Sequence, residues 1–188
     1  MGKTFWLTAL VFFVAGTRYA AEIAYAQAVA LGRANAPADE VLAKVDRAAS
    51  FNRWNDVYYR ELSMLLLQQI NTLVAAQAPT EQIQSVLGAA VNAAVRATEI
   101  GPNMVRNWEV RGDVYREVAP AVANAADFSA ASFLTAAHLA PSNPLYQVGL
   151  GRAYLTKADL LSQVAQTDDE GVKTEATAAK TAALASAE

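Results

Sequence analysis

The sequence predicts an all-α fold, a right-handed α-solenoid of about four helix hairpins. Hydrophobic residues make up 54% of the 188 residues, and alanine, the best helix former, is prominent among them. Gly and Pro fall mostly between apolar stretches of helical period. A pattern also repeats at a spacing of 39 residues, as expected of stacked helical units: Ala97, Ile100, Pro102, Gly112 and Tyr115, then Ala136, Leu139, Pro141, Gly151 and Tyr154.

The first helix is predicted over about residues 4–32. An uncharged run extends from Phe5 to Gly16, between Lys3 and Arg18. As a helix this run is about 18 Å long, well short of the ~30 Å hydrocarbon core of a bilayer. Helical period continues beyond it, and Arg18 is spaced to pair with Glu22. We therefore expect three regions: an apolar N-terminal helix extension over residues 1–17, a repeat domain over 18–166 and an Ala-rich C-terminal helix over 167–188.

The next three helices are delimited by turn and capping residues. Asp39 is expected to cap the second helix, after the turn at Pro37. The third helix is predicted from about Asn55 to Ala76. Thr80 is expected to cap the fourth helix, whose buried stripe has helical spacing: Ile83, Val86, Leu87, Ala90, Ala94 and Ala97.

Four more helices follow the Gly101–Pro102–Asn103 turn. The fifth ends near Pro120, before a loop-like stretch over Ala119–Ala126. The sixth runs from about Asp127 to Leu139, with Phe128, Phe133 and Ala136 inward. Asn143 is expected to cap the seventh, with Pro144 at its first position. In the eighth, Thr167 and Glu170 have capping-box spacing, and the predicted stripe consists of small groups: Val172, Ala176, Ala179 and Ala183.

Residues of about 95–155 resemble a tetratricopeptide repeat (TPR). The residues that carry the resemblance are Trp108, Gly112, Tyr115, Phe133, Ala136, Pro141, Gly151 and Tyr154. The resemblance implies that Gly and Ala lie where two helices touch, that aromatic rings fill the gaps between helices, and that Pro turns the chain into the next unit. A weaker copy has Ala48, Phe51 and Tyr59, with Arg53 in place of the Pro and Ser63 in place of the Gly.

The whole arrangement resembles the C-terminal TPR tail of bacterial membrane proteins of the O-antigen ligase and polymerase type. In those proteins a last membrane helix continues into the first repeat helix, and Phe5–Leu31 has this character, as does the stretch Val57–Leu62. The resemblance does not imply ligase activity, because the sequence contains no multi-span membrane domain that could perform it.

We expect no catalytic residue, no cofactor and no metal site. His138 is the only histidine and there is no cysteine, so His138 by itself cannot form a triad or a tetrahedral metal site, and it is interpreted as an ordinary helix residue. The acidic run Asp168–Glu170 is interpreted as a helix N-terminus. Arg106, Arg111 and Arg116 spread around a helix instead of forming one basic face. With 15 basic and 18 acidic residues, nucleic acid is not an expected partner.

The apolar start is the feature expected to carry function. Its six large side chains are Phe5, Trp6, Leu7, Leu10, Phe12 and Phe13, and burying each contributes about 1.5–3 kcal/mol. Such a patch needs a cover of lipid or protein. Three interpretations stay open: a secretion signal, a membrane anchor, and an assembly element buried by copies of the same chain.

We expect a non-enzymatic, extracytoplasmic scaffold, on the cell surface or outside the cell, that self-associates into a homo-oligomer or filament. The contacts would be the apolar N-terminal helix and the ends of the repeat stack. The alternative is a membrane-anchored adaptor whose groove binds another protein or peptide, in cell-envelope polysaccharide assembly. The aromatic residues of the repeats are interpreted as core or groove lining.

Overall fold

The computed structural model describes residues 2–164 and 170–186, and leaves out the side chains of residues 2–5, 7 and 164. Over the described residues the chain forms eight helices and no strand, which confirms the predicted all-α class. The helices are α1 (Gly2–Arg33), α2 (Ala38–Phe51), α3 (Asp56–Ala75), α4 (Thr80–Ile100), α5 (Val105–Val118), α6 (Ala125–Leu139), α7 (Pro144–Val164) and α8 (Glu170–Ala185).

Asparagine side chains cap two helices: Asn143 caps α7 as predicted, and Asn55, predicted only as the approximate start of the third helix, caps α3. The side-chain oxygen of Asn55 accepts a hydrogen bond from the backbone N–H of Val57 at 3.1 Å, and that of Asn143 accepts one from Leu145 at 3.1 Å. These bonds satisfy N–H groups that the first turn of a helix leaves without a partner.

Two other predicted caps are wrong. Pro37 occupies the cap position of α2 and no side chain caps this helix, while Asp39 lies within the first turn. A carboxylate there is still favourable, because the helix dipole is positive at this end. Thr80 is already the first residue of α4. The predicted capping residue Thr167 lies outside the described residues.

The sixth helix differs from its prediction in its start and in one face. It begins at Ala125, two residues before the predicted Asp127, because Asn124 adopts the left-handed conformation with φ of 59° and ends the turn. Phe128 is 47% exposed, so its predicted inward position is wrong, while Phe133 and Ala136 are buried. Five residues correspond to about 140° around a helix, so Phe128 and Phe133 cannot share one face.

The chain divides inside α4 into two compact units, Met1–Ala89 and Ala90–Glu188. In the first unit, α2 packs on both α1 and α3. The buried cluster consists mostly of small residues, with two tyrosines against it: Ala21, Ala24, Ala48, Ala49 and Tyr58, then Tyr25 and Tyr59. Alanine at the contacts allows the helix axes to approach closely, while the tyrosines supply most of the buried apolar area.

In the second unit α6 packs between α5 and α7, and α8 packs on α7. Its core includes Ala130, Phe133, Leu150 and Ala153, with Tyr154 against them. The fully buried Asn107 fastens the end of α4 to α5, since its amide donates to the carbonyls of Ala97 at 3.0 Å and Gly101 at 3.1 Å.

The predicted small-residue stripe of α8 faces inward. Ala176, Ala179 and Ala183 are buried, and Val172 is half-buried. The ammonium of Lys157 on α7 lies 2.8 Å from carboxylate oxygens of both Asp127 on α6 and Glu175 on α8. One cation thus joins three helices of this unit at their surface.

Candidate interaction surfaces

The N-terminal part of α1 exposes large apolar side chains over a continuous stretch. We call residues 6–14 the α1 tip; its large side chains are exposed by 72% for Trp6, 57% for Leu10, 66% for Val11, 73% for Phe12, 70% for Phe13 and 42% for Val14. The side chains of Phe5 and Leu7, also predicted contact residues, lie outside the described part. Four of the six predicted contact residues are therefore seen to be open to solvent.

The tip is exposed because α1 is much longer than the helix that covers it. The 32 residues of α1 span about 48 Å, whereas the 14 residues of α2 span about 21 Å. Among the described side chains of α1 the first buried one is Ala21, which lies in a cluster with Ala48 and Ala49 near the end of α2. The tip therefore extends beyond the end of α2.

The apolar side chains of the tip point in all directions around the helix axis. At about 100° per residue, Leu10 lies about 40° from Trp6, Val11 about 140° and Phe12 about 240°. A helix that is apolar on every side is typical of a buried position. Among the residues described here, no helix is both long and apolar enough to cross a membrane. In this respect the expected long apolar N-terminal helix is not supported.

A tyrosine and a carboxylate fix the covered part of α1 to α3. Tyr58 is 1% exposed, and its hydroxyl donates a hydrogen bond to Oε1 of Glu22 at 2.6 Å. Its ring also lies 5.1 Å from that of Tyr25, centroid to centroid. Burial, together with the bond to Glu22, raises the pKa of Tyr58 to about 12. The phenol is held neutral because ionisation would place a second negative charge beside the carboxylate.

We expect the stabilisation from Tyr58 to disappear in strong alkali. Its pKa rises from 10.0 to about 12 on folding, so the stabilisation is complete below pH 10 and is lost as the pH rises through 12. Tyr58→Phe should lower the free energy of unfolding by about 1 kcal/mol at neutral pH. Spectrophotometric titration of the phenols and urea denaturation measure the two effects. If Tyr58→Phe shows the same phenol of pKa about 12 as the parent chain, the assignment of this pKa to Tyr58 is wrong.

In the second unit, one aromatic ring lies between two glycines. A Cβ on Gly112 would come within 2.7 Å of the Phe133 ring, and one on Gly149 within 2.4 Å. The hydroxyl of Ser129 donates to the carbonyl of Gly112 at 2.7 Å, which holds α5 and α6 together at the same level. Phe133 therefore packs against glycine backbone on both α5 and α7.

Gly149 is a site residue that the sequence interpretation missed. The 39-residue spacing pairs Gly112 with Gly151, but a Cβ on Gly151 would meet Oγ of Ser186 at 2.7 Å, near the end of α8. Gly112 and Gly151 each lie against the next helix of the same hairpin, whereas Gly149 contacts the preceding hairpin. The double glycine in Gly149–Leu150–Gly151 is the sequence signal that could have indicated both contacts.

The other predicted signature residues have varied surroundings. Trp108 is half-buried, and its indole N–H donates to the carbonyl of Pro102 at 2.7 Å. Tyr115 and Ala136 are buried, Tyr154 is half-buried, and Pro141 is exposed in the turn before α7. The guanidinium of Arg111 lies over the Trp108 ring, 5.2 Å from its centroid.

The polar residues considered for chemistry do not converge. His138 is exposed. Arg106 pairs with Glu109 at 2.7 Å and Arg116 with Asp113 at 2.9 Å, while Arg111 donates to the hydroxyl of Thr98 at 3.0 Å. Asp168 and Asp169 lie outside the described residues. Within the described ranges, no group of three or more acidic or histidine side chains is placed to hold a metal ion.

The fold is that of TPR domains. The TPR domain of Arabidopsis OM64 superposes with a TM-score of 0.56 at 18% identity, over 73% of this chain and 96% of that domain. A thermophilic TPR protein from Thermus thermophilus matches with a TM-score of 0.37 at 20% identity, over 85% of this chain and 98% of that protein.

At such identity the similarity to OM64 shows the fold alone, and this chain is TPR-like and all-α. No protein-family model matches the sequence, and no curated protein does. The link to the tails of O-antigen ligases is not shown by these comparisons and stays a prediction.

Proposed function

We propose that this chain is a non-enzymatic, extracytoplasmic scaffold that self-associates into a homo-oligomer or filament through the α1 tip. The TPR-like fold supports a role in protein interaction, since such helix hairpins present extended surfaces for partners. The surface with the strongest requirement for a partner is the tip. The ends of the hairpin stack supply further contacts in the assembly.

The exposure of the tip on all sides is the observation that carries this proposal. Each large apolar side chain contributes about 1.5–3 kcal/mol when it leaves water, and Trp6, Phe12 and Phe13 are each at least 70% exposed. Monomeric proteins rarely leave an apolar patch of this kind open. Copies of the same chain are present in equal numbers, so each tip can be covered by a second copy.

Sedimentation velocity and electron microscopy of the purified full chain in detergent-free buffer test the proposal. We expect ordered assemblies that dissociate on Phe13→Glu, because the buried carboxylate would have no partner. Val74→Glu is the matched control, since Val74 is 56% exposed on α3 and away from the tip. This control should assemble as the parent chain does. A monodisperse monomer that retains Met1 would overturn self-association.

A membrane-anchored adaptor is the second candidate, and an apolar stripe on α7 favours a protein or peptide partner for it. Leu145, Val148 and Leu155 are 66%, 46% and 50% exposed and lie on one side of the helix. In this case the chain would bind vesicles through the tip and stay monomeric in detergent. Flotation with vesicles that Phe13→Glu abolishes, without any polymer in buffer, would select the adaptor.

A further inference from the structure

An exposed heptad pattern runs along α1, on the side opposite its contacts within the chain. We call its eight residues the α1 seam: Phe5, Phe12, Tyr19 and Ala26 at one heptad position, and Ala9, Gly16, Ile23 and Ala30 at the other. The spacing alternates between four and three residues through four heptads, as in a coiled coil. Every seam residue whose side chain is described is exposed, including Phe12 at 73%, Tyr19 at 70% and Ile23 at 42%.

The contacts within the chain leave the seam free for a partner. The buried residues among the described side chains of α1 are Ala21, Ala24 and Ala28, which are 0%, 4% and 2% exposed. In the same heptad, Ala21 and Ala28 occupy the position directly opposite the seam. One face of α1 thus packs in its own unit, while the opposite face has the apolar period of an interhelical contact over the whole helix.

The surface beside the seam is also shaped to receive a helix. A groove of about 350 Å³ lies between α1 and α2, lined by seam residue Ile23 together with Ala20, Ala24, Gln27, Lys44, Arg47 and Phe51. It continues toward Ala30, where Lys44 donates to Oε1 of Gln27 at 2.9 Å. A helix on the seam would contact Phe51 as well as α1. The contact would therefore extend from the tip into the first hairpin.

We propose that the seam pairs with the seam of a second copy as an antiparallel coiled coil centred near Val14. This proposal rests on the proposed self-association and adds its contact surface and geometry. Size complementarity is the argument for the antiparallel direction. With this centre, Phe12 of one copy faces Gly16 of the other, and Tyr19 faces Ala9. Large side chains then face small ones in these central layers, whereas Phe5 faces Ile23 at each end and Ala26 and Ala30 lie beyond the paired part.

Antiparallel pairing also covers the tips better. With this centre, each tip lies along residues 14–22 of the other copy, and its first residues approach the groove beside Phe51. In a parallel pair the two tips would face each other and lie away from this groove, whose lining begins at Ala20. A parallel pair would also stack Phe12 on Phe12 and Gly16 on Gly16, so that wide and narrow layers alternate.

Electrostatics alone favours the parallel direction, but by less. A parallel pair would bring Glu22 of one copy toward the Gln27–Lys44 pair of the other. Such exposed charges contribute about 0–1 kcal/mol, whereas burying one phenylalanine contributes about 1.5–3 kcal/mol. Packing therefore decides the direction.

Exchanging the large and the small side chain at the centre of the seam, Phe12 and Gly16, tests this proposal in the full chain. A Cβ on Gly16 would have no neighbour within 4 Å, so a larger side chain there has room in the single chain. Gly16→Phe should weaken association by at least tenfold, because the introduced ring of one copy would meet Phe12 of the other. The double variant Phe12→Ala with Gly16→Phe should restore it, since large again faces small. Analytical ultracentrifugation measures the dissociation constants.

Gly32→Phe is the matched control, because a Cβ on Gly32 also has no neighbour within 4 Å and the residue is off the seam. It should associate as the parent chain does. If the chain does not associate at all, the proposed function fails and this inference fails with it. If Phe13→Glu abolishes association but Gly16→Phe does not weaken association, the antiparallel seam is overturned and self-association is not. The same conclusion follows if Phe12→Ala combined with Gly16→Phe does not restore association.

Discussion

Phe133→Ala is expected to lower the free energy of unfolding by about 3–5 kcal/mol, the largest effect of a single substitution in this chain. The ring is 3% exposed and lies between the backbones of Gly112 and Gly149. Neither glycine has a side chain that could move into the space left by the ring, so the cavity would stay open. The contacts of this ring with both α5 and α7 would be lost at once.

Phe128→Ala is the control for this prediction. It makes the same change on the same helix, but Phe128 is 47% exposed, and its ring centroid lies 5.2 Å from that of Tyr115. We expect a loss of about 1 kcal/mol from it. Urea denaturation followed by circular dichroism compares the two variants. Equal losses would show that Phe133 does not organise the packing of this unit.

The contrast between these two phenylalanines shows how much of the structure could be predicted from the sequence. Local signals sufficed for the approximate positions of the helices and for the cap at Asn143, because turn and capping residues act within a few positions of each helix end. Which face of α6 turns inward depends on α5 and α7, and α6 is apolar on several sides. The spacing of five residues places Phe128 and Phe133 on different faces, but it could not tell which of the two faces turns inward.

Long-range contacts could not be predicted from the sequence either, because they also depend on how the helices pack together. The bond from Tyr58 to Glu22 joins residues 36 positions apart, and no repeat or motif relates them. Gly149 was not predicted as a contact residue because the 39-residue spacing matches Gly112 with Gly151. By contrast, the apolar character of the tip follows from composition alone, while its exposure depends on where α2 ends. Its role in self-association stays a prediction.

Gly149→Ala is expected to lower the free energy of unfolding by about 1–3 kcal/mol, although alanine is the better helix former. A helix interior gains about 1 kcal/mol from this exchange when the new methyl group has room. At Gly149 the Cβ would lie 2.4 Å from two carbons of the Phe133 ring, and the ring has Gly112 behind it. The ring or α7 must shift, and this overpacking outweighs the gain in propensity.

Gly88→Ala separates the two contributions to this effect. Gly88 also lies inside a helix, α4, but a Cβ there would have no neighbour within 4 Å. We expect this variant to gain about 0.5–1 kcal/mol in the same urea titration. The cost at Gly149 should also shrink in a Phe133→Leu background, since the smaller side chain removes the clash and the two sites are coupled. If Gly149→Ala stabilises the parent chain as Gly88→Ala does, the close contact between α7 and Phe133 is wrong.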